Sequence, residues 1–288
     1  MLEILINPKR AERRPWEMFL IGAFYALLSV ILVRWIFSGD DVLSKYSGIL
    51  VVTFCVMFSM PFMYFAIKNE EEKDMESKEG FIGLLEEHGK ALLCFMFLFL
   101  GFIVAFSFVY IVFPSGSMNF KVQIETFCMI NKPAHFNDCV NEYVGENVGK
   151  TTMFLTAKDK IVNIFVNNIY VLIFTLIFSL VFGAGAIFIL AWNASVISAA
   201  IGIFAKSNIA NLPLGMARYM IHGIPEIGSY FAGALAGGMI SVAVINHEVR
   251  TEKFWVILQD SLNLVILSVV LLFFASLIEV FITPAVFG

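Results

Sequence analysis

The sequence predicts an all-α integral membrane protein, one polytopic helical bundle of six or seven spans. Of its 288 residues, 59% are hydrophobic and only 15% charged, against roughly 25% charged in ordinary soluble domains. Mean hydropathy is +0.85. Several apolar runs reach the ~20 residues that a helix needs to cross a bilayer. No polar stretch between them is long enough to fold alone, so a single membrane domain over residues 1–288 is expected. The net charge of −4 is small and spread out, which argues against a nucleic-acid partner and leaves membrane lipid as the surrounding medium.

The first 16 residues read as an interfacial segment. Leu2, Ile4 and Leu5 are followed by Lys9, Arg10, Arg13 and Arg14, and Trp16 marks the headgroup level. That basic cluster predicts a cytoplasmic N-terminus in a multi-pass protein of the cell membrane. No small-residue cleavage site follows, so this is not read as a cleavable signal. The first span is predicted over 17–37, with Arg34 snorkelling at its far end, and the second over 48–67. Residues 68–90 are dense in both signs and read as a charged cytoplasmic connector, partly helical, with a solvated face.

A phenylalanine-rich third span covers 91–113 and ends at Pro114, Ser115 and Gly116. Residues 114–160 then form the one sizeable polar segment, which alternation of spans places outside. Cys128 and Cys139 within it are a disulfide candidate, suited to an oxidising compartment. His135 lies between them, but this is not a standard zinc spacing, so no metal and no cofactor is expected. Cys55 and Cys94 fall in apolar spans and read as packed thiols. Residues 149–168 read as an amphipathic helix leading into the bilayer.

A fourth span is predicted over 169–192, with Gly183-Ala184-Gly185 allowing close packing or a bend. The apolar piece at 194–206 is short for a crossing. It reads as a short span, a re-entrant half-helix or a broken continuation, so the side of the C-terminus stays open.

Residues 218–241 are the most informative stretch. Arg218, His222 and Glu226 recur every four residues, which stacks them on one helical stripe, and Gly233 and Gly237 continue it. Ionisable groups at membrane depth are costly and face a bundle interior or a wet cavity. Pro225 cannot donate to the carbonyl four residues back, so the helix either kinks or restarts there. In a restart, His222 and Gly223 lie in the break and Glu226 in a first turn, where the helix dipole favours an anion. Gly233 and Gly237 read as a packing strip within the chain in preference to one between chains. The last span is predicted over 261–282, with Glu279 near its end before Pro284.

The second half resembles the stage II sporulation protein M family of prokaryotic membrane proteins. The residues that carry this are WNASVISAAIG (192–202), IHGIPEI (221–227) followed by GALAGG, and the terminal LIEVFITP (277–284). The first half is similar to archaeal-type members. The resemblance implies a non-enzymatic component of a membrane assembly, since the sporulation member acts with two peptidoglycan-degrading partners. It carries over Asn193, His222, Gly223, Glu226, Glu279 and Pro284 as recurrent positions, with no catalytic role attached.

An intramembrane polar cluster of Asn193, Arg218, His222, Glu226 and Glu279 is therefore expected, with Gly223, Pro225, Gly233, Gly237 and Pro284 shaping the helices. Its plainest use is to fix packing and register. A transporter, channel or lipid-handling site is the main alternative. An intramembrane hydrolase is a weaker one, because His222 and Glu226 do not form the His-Glu-x-x-His zinc signature. Protein partners in a membrane complex, and a homo-oligomer, are both compatible with these readings.

Overall fold

The computed structural model describes residues 8–37, 39–40, 42–73, 81–113, 119–131, 136–144, 157–183, 186–205, 209–246, 249 and 251–287. The α-helices are α1 (Pro8–Arg13), α2 (Glu17–Phe37), α3 (Ser47–Lys73), α4 (Phe81–Val112), α5 (Lys121–Asn131) and α6 (Phe136–Val144). They continue with α7 (Ala157–Phe182), α8 (Ile187–Ala205), α9 (Leu212–Ile245), α10 (Glu252–Leu277) and α11 (Thr283–Phe287). A π-helical turn, Ile278–Ile282, joins the last two. Among the described residues there is no strand.

Seven helices are long and apolar enough to cross a membrane: α2, α3, α4, α7, α8, α9, and α10 with its C-terminal extension. Contacts at their ends give each a direction. Asn69 and Glu70, late in α3, meet Glu12 and His88. At the other end, Ser47 and Gly48 meet Asn119 and Gln123 beyond the end of α4. Residues 194–205 belong to one of these seven helices, α8. Ser198 donates to the Ile103 carbonyl at 3.1 Å, and a Cβ on Gly202 would strike the Tyr110 ring, so α8 runs parallel to α4.

Several predicted boundaries move for a local reason. The fourth span ends at Phe182, not at 192, because Gly183 takes φ 61, a left-handed conformation that a glycine adopts without steric cost. The residues from 187 therefore belong to α8, a 19-residue helix about 28 Å long. The amphipathic approach predicted over 149–168 is, from Ala157 onward, the start of α7 itself. The last span begins at Glu252, where the Thr251 hydroxyl caps the Phe254 N–H at 3.3 Å.

The connector at 68–90 is corrected most. No glycine or proline stops α3 before Lys73, and α4 begins at Phe81. Asn69, Glu70, Glu71 and His88 are buried, not solvated. Residues 74–80 of that connector lie outside the described residues, as do His135, Lys206 and Arg250.

α9 is the central element, with 83% of its apolar window buried. It packs against α10, α7, α8 and α3. Phe231 stacks on Phe95 at 5.4 Å and meets Phe99 edge-on at 6.0 Å, joining α9 to α4. On the opposite side a Cβ on Gly237 would lie 2.7 Å from the Leu176 carbonyl oxygen and 2.9 Å from Ser179 Cβ of α7. Substituting Gly237→Val should therefore push α7 away and cost about 1–3 kcal/mol, read as a lowered thermal midpoint in detergent. Gly228→Ala, whose Cβ meets nothing within 4 Å, should be neutral or stabilising in the same assay.

Candidate functional site

The helical stripe read from the sequence finds its partners in the C-terminal segment. Arg218 Nη1 donates to the Phe287 carbonyl at 3.3 Å, and its guanidinium lies 5.8 Å from the centre of the Phe204 ring. One turn on, His222 Nδ1 lies 3.2 Å from the Thr283 hydroxyl. One further turn on, Glu226 accepts from the Tyr230 hydroxyl at 3.0 Å, with Glu279 as the neighbouring carboxylate. Each four-residue step down α9 is met by a four-residue step back along the chain from Phe287 to Thr283 to Glu279. The result is an antiparallel ladder.

The π turn presents the C-terminal half of this ladder. Glu279 is its second residue, and the Thr283 hydroxyl donates to the Ile278 carbonyl at 3.3 Å. With that proton committed, the Thr283 oxygen acts as acceptor and His222 donates from Nδ1. π turns are uncommon and concentrate at functional sites. Asn168 of α7 also hydrogen-bonds the Glu226 side chain, which adds a third helix to the site. Arg218, His222, Glu226 and Glu279 are all only partly buried. A cation, an imidazole, two carboxylates and a hydroxyl thus share one seam.

α9 is continuous through Pro225, so of the two alternatives the restart, with His222 and Gly223 in a break, is not taken; the irregular turn is at 278–282. Asn193 bonds the Ile189 carbonyl of its own helix at 2.7 Å, which engages its carboxamide away from the ladder. Gly223 marks no close approach, since a Cβ there would meet only Met220 Cε at 3.4 Å. Pro284 sits in the first turn of α11, where its missing N–H has no helical partner to lose.

Gly233 and Gly237 face α7: a Cβ on Gly233 would lie 2.5 Å from Leu172 Cδ1. The strip therefore serves packing within the chain. Cys128 and Cys139 are joined by a disulfide that ties α5 to α6. Cys55 and Cys94 are buried free thiols.

A second polar cluster was missed. At the opposite end of the bundle, His88 Nδ1 lies 2.8 Å from Glu70 Oε2 with both side chains fully buried. Asp260 lies near the same histidine. Asn69 donates to Glu12 of α1 at 2.9 Å, and Lys253 of α10 pairs with Glu71 at 2.5 Å. The available signal was the lack of any helix breaker between Pro61 and Gly80, which lets α3 carry its acidic end into the protein.

The sequence model of the family described as Stage II sporulation protein M matches residues 18–284. The chain belongs to that family. No curated protein and no solved structure matches it.

Two measurements check these clusters. A double-mutant cycle of His222→Ala and Thr283→Val should give a coupling of about 0.6–2 kcal/mol in thermal unfolding. Glu70→Ala, which strips the buried partner from His88, should cost about 3–5 kcal/mol. Exposed Glu72→Ala should stay within about 0.5 kcal/mol in the same assay.

Proposed function

From family membership and the ladder, we infer that this chain is a non-enzymatic component of a membrane-associated assembly. The observation that carries the reading is that Arg218, His222 and Glu226 are each engaged within the chain, two of them by the C-terminal segment itself. Groups spent on one another fix the register of α9 against α10. The partners are other proteins. Their contact surface is the disulfide-braced pair α5–α6, on which Asn141 is exposed. This pair faces the outside of the cell membrane, with the N-terminus in the cytoplasm. The basic residues Arg13 and Arg14 and the disulfide support that orientation.

A transporter or lipid-handling protein is the second reading. It is favoured by the partial exposure of Glu226 and Glu279 and by the open space beside Gly228, two residues along the helix.

One comparison separates the two. A photo-crosslinker at Asn141 in native membranes should give a discrete adduct with another protein, and one at Ile31 on α2 should not. Glu226→Gln should leave that adduct unchanged. If the adduct is absent, and the wild-type protein in vesicles passes protons or solute that Glu226→Gln blocks, the scaffold reading fails and transport replaces it.

A further inference from the structure

The polar cluster at the α1 end of the bundle is built from both halves of the chain, and one member changes charge near neutral pH. α10 packs along α9 and α7 and only lightly on α4. A stripe of its own side chains ties it to the first half at this end. Lys253, Ile257 and Asp260 recur at helical spacing on one face, and Ile257 is fully buried. Lys253 pairs with Glu71 of α3 at 2.5 Å. Asp260 stands within electrostatic reach of His88 on α4. His88 Nδ1 in turn meets Glu70 Oε2 of α3 at 2.8 Å, with both side chains fully buried.

Asp260 supplies the asymmetry. Its Oδ2 is buried and accepts no hydrogen bond from any described residue. A buried carboxylate oxygen without a donor is unfavourable unless a positive charge stands near it. Neutral, His88 brings no such charge. Protonated, it is a cation facing both Glu70 and Asp260. Among the described residues, the other charged groups of the cluster are engaged: Glu12 of α1 accepts from Asn69, and Glu71 holds Lys253. Arg13, Arg14, Glu72 and Lys90 are exposed, and Glu17 of α2 pairs with Arg14. α8 and the stretch of α9 from Ile227 to Ile245 carry no charged residue.

We propose that His88 is the proton-sensitive catch of a latch between the two halves of the bundle. With a second proton taken from solution, its imidazolium holds α3 through Glu70 and α10 through Asp260. Without that proton Asp260 is uncompensated, and this end of α10 moves away from α3 and α4. The unfolded chain offers the imidazole no such partners. The latch is therefore closed at mildly acidic pH and opens as pH rises through the histidine range. The proposal goes beyond the scaffold reading, which requires no movement within the chain.

The test is the distance between two nitroxide spin labels on full-length protein in lipid vesicles, with Cys55 and Cys94 replaced by alanine and the Cys128–Cys139 disulfide retained. Labels on Glu72→Cys of α3 and Trp255→Cys of α10, both exposed, read the latch. Labels on Val112→Cys and Val286→Cys, exposed at the opposite end, are the control. From about pH 6 to about pH 8.5 the first distance should lengthen by about 2 Å or more, and the second should not change. His88→Gln, neutral at every pH, should show the longer distance throughout. Asp260→Asn keeps the side-chain shape and leaves the His88–Glu70 contact in place, and it too should remove the pH response. The proposal is overturned if the first distance does not change with pH, if both pairs lengthen together, or if either variant responds as the unsubstituted chain does.

Discussion

In a bilayer, helices gain nothing from hiding apolar surface from one another, because lipid is as apolar as they are. Association depends on close backbone approach and on hydrogen bonds between helices. α9 supplies both. From Ala232 to Gly238 it is glycine and alanine but for Leu235, and three neighbouring hydroxyls bond carbonyls of the helix. Ser179 of α7 donates to Ala234, Ser261 of α10 donates to Ala236 at 3.1 Å, and Ser268 donates to Ser229 at 2.9 Å. A side chain at Gly237 would displace α7, and with it Asn168 from its place beside Glu226.

The polar ladder is a consequence of that seam. Once α10 lies antiparallel to α9, the chain beyond Leu277 has to return along the stripe that carries Arg218, His222 and Glu226. The π turn widens the backbone there and directs Glu279 and Thr283 at the stripe. Groups that would be costly alone in lipid become a matched set.

The two halves of the chain are joined by charge at the opposite end. Lys253 and Glu71 are 182 residues apart in sequence, yet they pair at the end of the bundle where α3 and α4 pack against α1. Glu70 and His88 are buried in the same region. Burying such groups is unfavourable unless they are paired, and removing one partner leaves the other stranded. This cluster therefore restrains the angle between the halves.

The sequence by itself determined whatever depends on local geometry. Run lengths and low charge specify a membrane bundle, and two cysteines 11 residues apart in one polar segment are close enough to bond. The four-residue spacing of Arg218, His222 and Glu226 places them on one stripe in any α-helix. Tertiary structure decided which groups meet. The stripe could face any neighbour, and only the return of the C-terminal segment supplies Thr283 and Phe287. Asn193 shares the polarity of the site but is held by its own helix. The acidic end of α3 looks solvated in sequence because its partners, His88 and Lys253, are brought in by other helices. Helical periodicity is set within a few residues, whereas burial is set by neighbours that no local pattern names.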